Sequence, residues 1–114
     1  MPYLRIQTNV APAAAAQQDL LAACSRGVAA ALGKDERYVM VALEGAVPMR
    51  FAGTDAPLAY LELKSIGLPA RVEALARMLC DLVAKQLGVP PARVYIEFTD
   101  EPAERWGWNG GTFG

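Results

Sequence analysis

The chain opens Met1-Pro2-Tyr3, and the chemistry begins at the second residue. A small residue after the initiator methionine permits its removal, which leaves Pro2 as a secondary amine at the chain start. A free α-amino group titrates at about 7.7–8.0 when unperturbed. Apolar surroundings and a neighbouring cation both disfavour the ammonium form and lower that value. A neutral amine near pH 7 is a serviceable general base. Proline at position two is common in ordinary proteins, so the reading depends on what else the chain offers. It offers no histidine at all. That absence removes the serine and cysteine triads that need imidazole, and most zinc sites. The two cysteines, Cys24 and Cys80, lie far apart with no CxxC, and both fall on apolar helical stripes. They read as buried thiols of a reducing compartment.

The bulk composition sets the context for such a site. The chain has 114 residues, 54% apolar and 20% charged, the size and balance of one globular domain spanning residues 1–114. Eleven basic residues face twelve acidic ones, for a net charge of -1. That leaves no electrostatic footprint for nucleic acid. No apolar run approaches the roughly 20 residues of a membrane helix, and no secretory leader is visible at the N-terminus. A cytoplasmic protein without nucleic-acid or membrane partners, metal or cofactor is the expectation.

The elements that must position Pro2 occur twice. Tyr3-Leu-Arg-Ile-Gln-Thr8 matches Tyr60-Leu-Glu-Leu-Lys-Ser65, Leu32-Gly33 recurs as Leu87-Gly88, and the segment Tyr38–Leu43 recurs as Arg93–Phe98. Each half reads as strand, helix, strand. Leu20, Leu21, Cys24, Val28, Ala31 and Leu32 form one helical stripe closed by Gly33. Val72, Leu75, Leu79, Leu82, Val83 and Leu87 form the second, closed by Gly88, with Pro69 suited to its first turn and Pro90-Pro91 barring continuation. The fold class is α/β (α+β): a duplicated β-α-β unit with a four-stranded mixed sheet and two helices on one face. Residues 45–57 read as a turn-rich link with one short strand, and residues 106–114 as an irregular or short-strand tail. The strand faces opposite the helices carry Tyr3, Arg5, Gln7, Tyr38, Met40, Tyr60, Glu62, Lys64, Tyr95 and Glu97. Aromatics mixed with balanced charge suit a face covered by other subunits around a polar passage, so a closed homo-oligomer is expected.

With these elements in place, the chain resembles the family of macrophage migration inhibitory factor. The resemblance lies in Met1-Pro2 with a strand ending Thr8-Asn9, then Leu32-Gly33-Lys34, Ser65-Ile66-Gly67, Pro91-Ala-Arg-Val-Tyr95-Ile96, and Gly107-Trp108-Asn109 with Thr112-Phe113. These segments follow in order along essentially the whole chain. The resemblance implies a tautomerase fold assembling as a homotrimer. Pro2 would move a proton between the carbon and oxygen of a keto-enol pair, in a small 2-oxo acid such as phenylpyruvate. Lys34 would bind the substrate carboxylate and depress the Pro2 pKa. Ser65 and Ile66 would contact substrate through their backbone, and Tyr38, Tyr95, Trp106, Trp108 and Phe113 would wall the pocket, Tyr95 from an adjacent subunit. Read without the family, Lys34 is a helix-dipole partner and the C-terminal aromatics are packing.

Three departures from the family pattern are visible. Leu58 and Leu61 stand where the vertebrate factor has a CxxC, so thiol-disulfide chemistry does not carry over. Glu97 replaces an asparagine and would put a carboxylate near an anionic substrate. Trp106 replaces a smaller aliphatic residue and would narrow the pocket mouth. Two other functions compete with the enzyme reading. One is a signalling protein released without a signal peptide, with a receptor as partner and residual tautomerase activity. The other is a decarboxylase or dehalogenase of the wider superfamily, for which Arg71 and Glu97 are the only loose candidates.

Overall fold

A computed structural model describes residues 1–114 and gives the expected double unit. Strand β1 (Tyr3–Thr8), helix α1 (Ala14–Leu32) and strand β2 (Met40–Glu44) form the first half. Strand β3 (Ala59–Ser65), helix α2 (Glu73–Leu87) and strand β4 (Val94–Asp100) form the second. Within each half the strands pair in parallel, as a helical crossover requires. The halves join antiparallel through β1 and β3, giving the order β2-β1-β3-β4. The C-terminal tail folds into a two-stranded hairpin, β5 (Gly107–Trp108) and β6 (Gly111–Thr112).

Period-two alternation in the central strands decides which face is covered. Leu4, Ile6 and Thr8 of β1 and Leu61, Leu63 and Ser65 of β3 are all fully buried beneath the helices. The helices answer with Leu20, Cys24 and Val28 of α1 and Leu75, Leu79 and Val83 of α2. Truncating such a side chain to alanine costs about 2–5 kcal/mol, so Leu79→Ala is expected to destabilise the whole domain. Gly33 ends α1 in the left-handed region, at φ 62°, where a side chain would be strained. No helix is long and apolar enough to cross a membrane.

Several local expectations are corrected. Tyr38 lies in a 3-10 turn (Glu36–Tyr38) and not on the strand, because the Asp35 carboxylate accepts the Arg37 N–H and nucleates that turn. Helix α2 begins at Glu73, beyond Pro69. Ahead of it, the Gly67 and Leu68 amides donate to the Asp100 carboxylate. Ala31 faces solvent while Ala29 is buried, and Cys80 is only half-buried. The link 45–57 contains no strand beyond an isolated bridge between Phe51 and Thr54.

Candidate active site

The start of the chain lies in a cavity of about 400 Å³ between the end of the sheet and the C-terminal hairpin. Met1, Pro2, Tyr3, Tyr38, Met40 and Trp108 line it, with Ala42, Trp106, Gly107 and Phe113 completing the wall. Pro2 is fully buried, and its carbonyl accepts the Met40 N–H at 3.0 Å. The parallel pairing of β1 with β2 therefore fixes the chain start before any side chain acts. While Met1 is attached, the Pro2 nitrogen is an amide with no basic lone pair, and the amine belongs to Met1.

That amine is perturbed in the direction a base needs. Burial first, and then the positive charge of Lys34, hold it below its ordinary value of 8.0. Both effects penalise the ammonium and leave the neutral amine unopposed. Lys34 follows the glycine that closes α1, and its Nζ donates to the Ile66 carbonyl at 3.0 Å. It enters no ion pair. Its charge is thus not cancelled by any carboxylate of this chain.

The aromatic wall is mutually braced. Tyr38 meets Trp108 and Phe113 edge-on at 5.9 and 6.4 Å, while Trp108 and Phe113 stack at 5.6 Å. The hairpin makes this possible: the Phe113 N–H donates to the Trp106 carbonyl, closing the β5–β6 turn back on itself. Such an enclosure favours a flat apolar group over an aliphatic chain.

The expected site residues fall into three sets. Pro2, Tyr38, Trp106, Trp108 and Phe113 meet in the cavity. Lys34 and Ile66 meet each other through the ammonium-carbonyl bond, and the Ser65 side chain is buried on the helix-facing side with no hydrogen-bond partner for its hydroxyl. Tyr95 and Glu97 do not line the cavity. Tyr95 is 66% exposed and packs against Phe51 at 4.8 Å, and the Glu97 carboxylate accepts from Thr99 on the open sheet face. Tyr3, Met40 and Ala42 line the cavity although they were read only as sheet-face residues, or not singled out. Strand alternation places Met40 on the right face, and only the parallel register opposite Tyr3 brings it to the chain start. No group of three or more His, Cys, Asp or Glu side chains is placed to hold a metal.

A duplicated β-α-β sheet whose N-terminal amine opens into an aromatic pocket defines the tautomerase-like class of folds. Comparison with known proteins makes the assignment specific. The family model for macrophage migration inhibitory factor matches residues 1–114, and the chain belongs to that family. It is 41% identical over 116 residues to the macrophage migration inhibitory factor homolog of Brugia malayi, with all of both chains covered. Among solved structures it superposes on the homologue from Prochlorococcus marinus with a TM-score of 0.93 at 43% identity, over 98% of this chain and 99% of that one. The factor from Toxoplasma gondii gives a TM-score of 0.91 at 34% identity, over 97% and 99%. Members of this family are tautomerase-superfamily isomerases.

Proposed function

We propose that this chain is a cofactor-independent keto-enol tautomerase of aromatic 2-oxo acids, phenylpyruvate being the test substrate, acting as a homotrimer after loss of Met1. The observation that carries the reading is the placement of the chain start, Met1 and Pro2, in an aromatic-walled cavity, where burial and Lys34 already lower the Met1 amine. The substrate ring would occupy the aromatic wall, and its carboxylate would pair with the uncancelled Lys34 ammonium. The neutral Pro2 amine would take a proton from the carbon beside the keto group, leaving an enolate. Return of a proton to the enolate oxygen completes the keto-to-enol step, and the amine is restored. Lowering the amine pKa toward the working pH is what lets one group both accept and release that proton.

Tyr95 and Glu97 enter this reading from an adjacent subunit. The open sheet face supports that assembly. It carries half-buried Arg5, paired with Glu44 at 2.7 Å and with Glu62 at 3.8 Å, alongside exposed Met40 and Tyr95. A signalling role with a receptor partner is the second reading, favoured by the names of the relatives alone.

The deciding measurement is tautomerisation of phenylpyruvate by protein whose loss of Met1 is verified by intact mass. Processed protein should turn over, and Met1-retaining protein should lose all but a trace, because acylation abolishes the basicity of the Pro2 nitrogen. Pro2→Ala should lose about 100-fold or more, within the range for a general base. Equal rates for processed and Met1-retaining protein would refute the mechanism.

A further inference from the structure

Lys34 rests on a single neutral acceptor, the Ile66 carbonyl, so whatever holds Ile66 holds the site's positive charge. Ile66 lies in a loop that leaves β3 and turns at Gly67, whose φ of 79° lies in the left-handed region. The Asp100 carboxylate grips that turn with both oxygens: the Gly67 N–H donates to Oδ1 at 2.9 Å and the Leu68 N–H to Oδ2 at 3.1 Å. The parallel register of β3 and β4 sets Asp100 opposite Ser65, and the Glu101 N–H donates to the Ser65 carbonyl at 2.9 Å. The residues on either side of Ile66 are therefore tied to the end of β4, Ser65 by backbone and Gly67 by a carboxylate.

We propose that Asp100 is a positioning residue of this site, holding the Ile66 carbonyl where it anchors the Lys34 ammonium. The arrangement has a physical rationale. A carboxylate bonded directly to Lys34 would cancel its field at the amine and at a substrate anion. A peptide carbonyl orients the ammonium while leaving its charge available. The carboxylate acts one step removed, on two backbone amides that a charged acceptor binds more strongly than a neutral one. The loop between β3 and α2 has no other side-chain clamp of this kind.

Positioning of this kind matters for turnover only if the amine and Lys34 form the site as proposed above, so the amine is also to be followed directly. The titratable side chains facing it are Tyr3 and Tyr38 in the cavity wall and Lys34 beside it. Processed parent, Lys34→Met, Asp100→Ala, Asp100→Asn and the Lys34→Met/Asp100→Ala double variant are compared by two measurements. One is the pH midpoint for carbamylation of the N-terminal amine by cyanate, located by peptide mass. The other is the pH profile of kcat/KM on phenylpyruvate. Lys34→Met should raise the amine midpoint. Asp100→Ala should raise it in the same direction by less, and raise KM several-fold with a smaller change in kcat. The double variant should match Lys34→Met alone. Asp100→Asn, which keeps one carbonyl oxygen for the amides, should fall between parent and Asp100→Ala, and it serves as the test variant if the alanine protein does not fold. An unchanged midpoint and KM in a folded Asp100 variant would overturn the proposal. So would an Asp100 effect that persists in full without Lys34. Midpoints that move as expected in a protein without turnover would refute the tautomerase reading and leave the positioning role standing.

Discussion

The Lys34 ammonium donates to the Ile66 carbonyl across 32 residues of sequence, and this bond joins the end of the helix in the first β-α-β half to the end of a strand in the second. The two copies of the repeat are therefore coupled through the lysine whose charge acts on the chain-start amine. Lys34→Met is expected to keep the fold while costing ten- to a hundredfold in kcat/KM on 2-oxo acids. That range corresponds to roughly 1.5–3 kcal/mol for a hydrogen bond to a charged group. Steady-state kinetics with a neutral ester of the same substrate supplies the control, since the ester should lose much less.

The acid limb of the pH-rate profile follows from the lowered amine pKa. A base works in its neutral form, so activity should rise with pH through the pKa of the chain-start amine and already be substantial below 8.0, its ordinary value. The burial and the Lys34 charge that lower the Met1 amine should act in the same direction on the proline amine left once Met1 is gone. Lys34→Met should move this limb toward higher pH. A limb that stays put in the variant would show that the lysine does not act on the amine.

Cys24 is buried, and burial pushes its thiol up to about 11, while Cys80 is half-buried and raised by burial and by Asp81. With an aromatic disulfide reagent at pH 8, Cys80 should react first and Cys24 only on unfolding. An acid whose folded pKa is raised stabilises the fold fully below its unfolded value. Melting temperature should accordingly fall as pH rises above 9, the ordinary thiol value, and a Cys24→Ala variant should lose that part of the alkaline slope. Neither cysteine should be needed for turnover, and a folded Cys24→Ala/Cys80→Ala protein that is inactive would contradict this.

Tyr95 points away from its own subunit's cavity, so the trimer reading can be tested by mixing. Pro2→Ala and Tyr95→Ala subunits, each nearly inactive alone, should regain roughly a quarter of parental activity when refolded together at equal amounts. In a closed ring, about one site in four then receives both intact residues from neighbouring chains. Sedimentation equilibrium should give three subunits. No recovery on mixing, or a stable monomer at micromolar concentration, would place the complete site within one chain.

Trp106 borders a cavity of about 400 Å³, in a position where the family pattern has a smaller aliphatic residue. Trp106→Val should widen the mouth and lower KM for a bicyclic 2-oxo acid relative to phenylpyruvate, while kcat changes little. Unchanged selectivity between the two substrates would remove Trp106 from the specificity wall.

Much of the fold was legible because its signals are local. The alternation of Leu4, Ile6 and Thr8, the helical spacing of Leu75, Leu79 and Val83, and the glycines closing both helices each act within a few residues. The repeat then specified two β-α-β units, and Met1-Pro2 pointed to an amine at the chain start. What tertiary structure alone decided was which of these pieces meet. The parallel register of β1 on β2 brings Met40 to Pro2, and the closing of the C-terminal hairpin brings Trp108 and Phe113 against Tyr38 in the cavity wall. Asp100 captures the Gly67 and Leu68 amides from 33 and 32 residues away, next to the Ile66 carbonyl that accepts from Lys34. Such contacts carry no local periodicity. They depend on strand register and on side chains that reach backbone amides far along the chain, and these are settled only when the two halves close on one core.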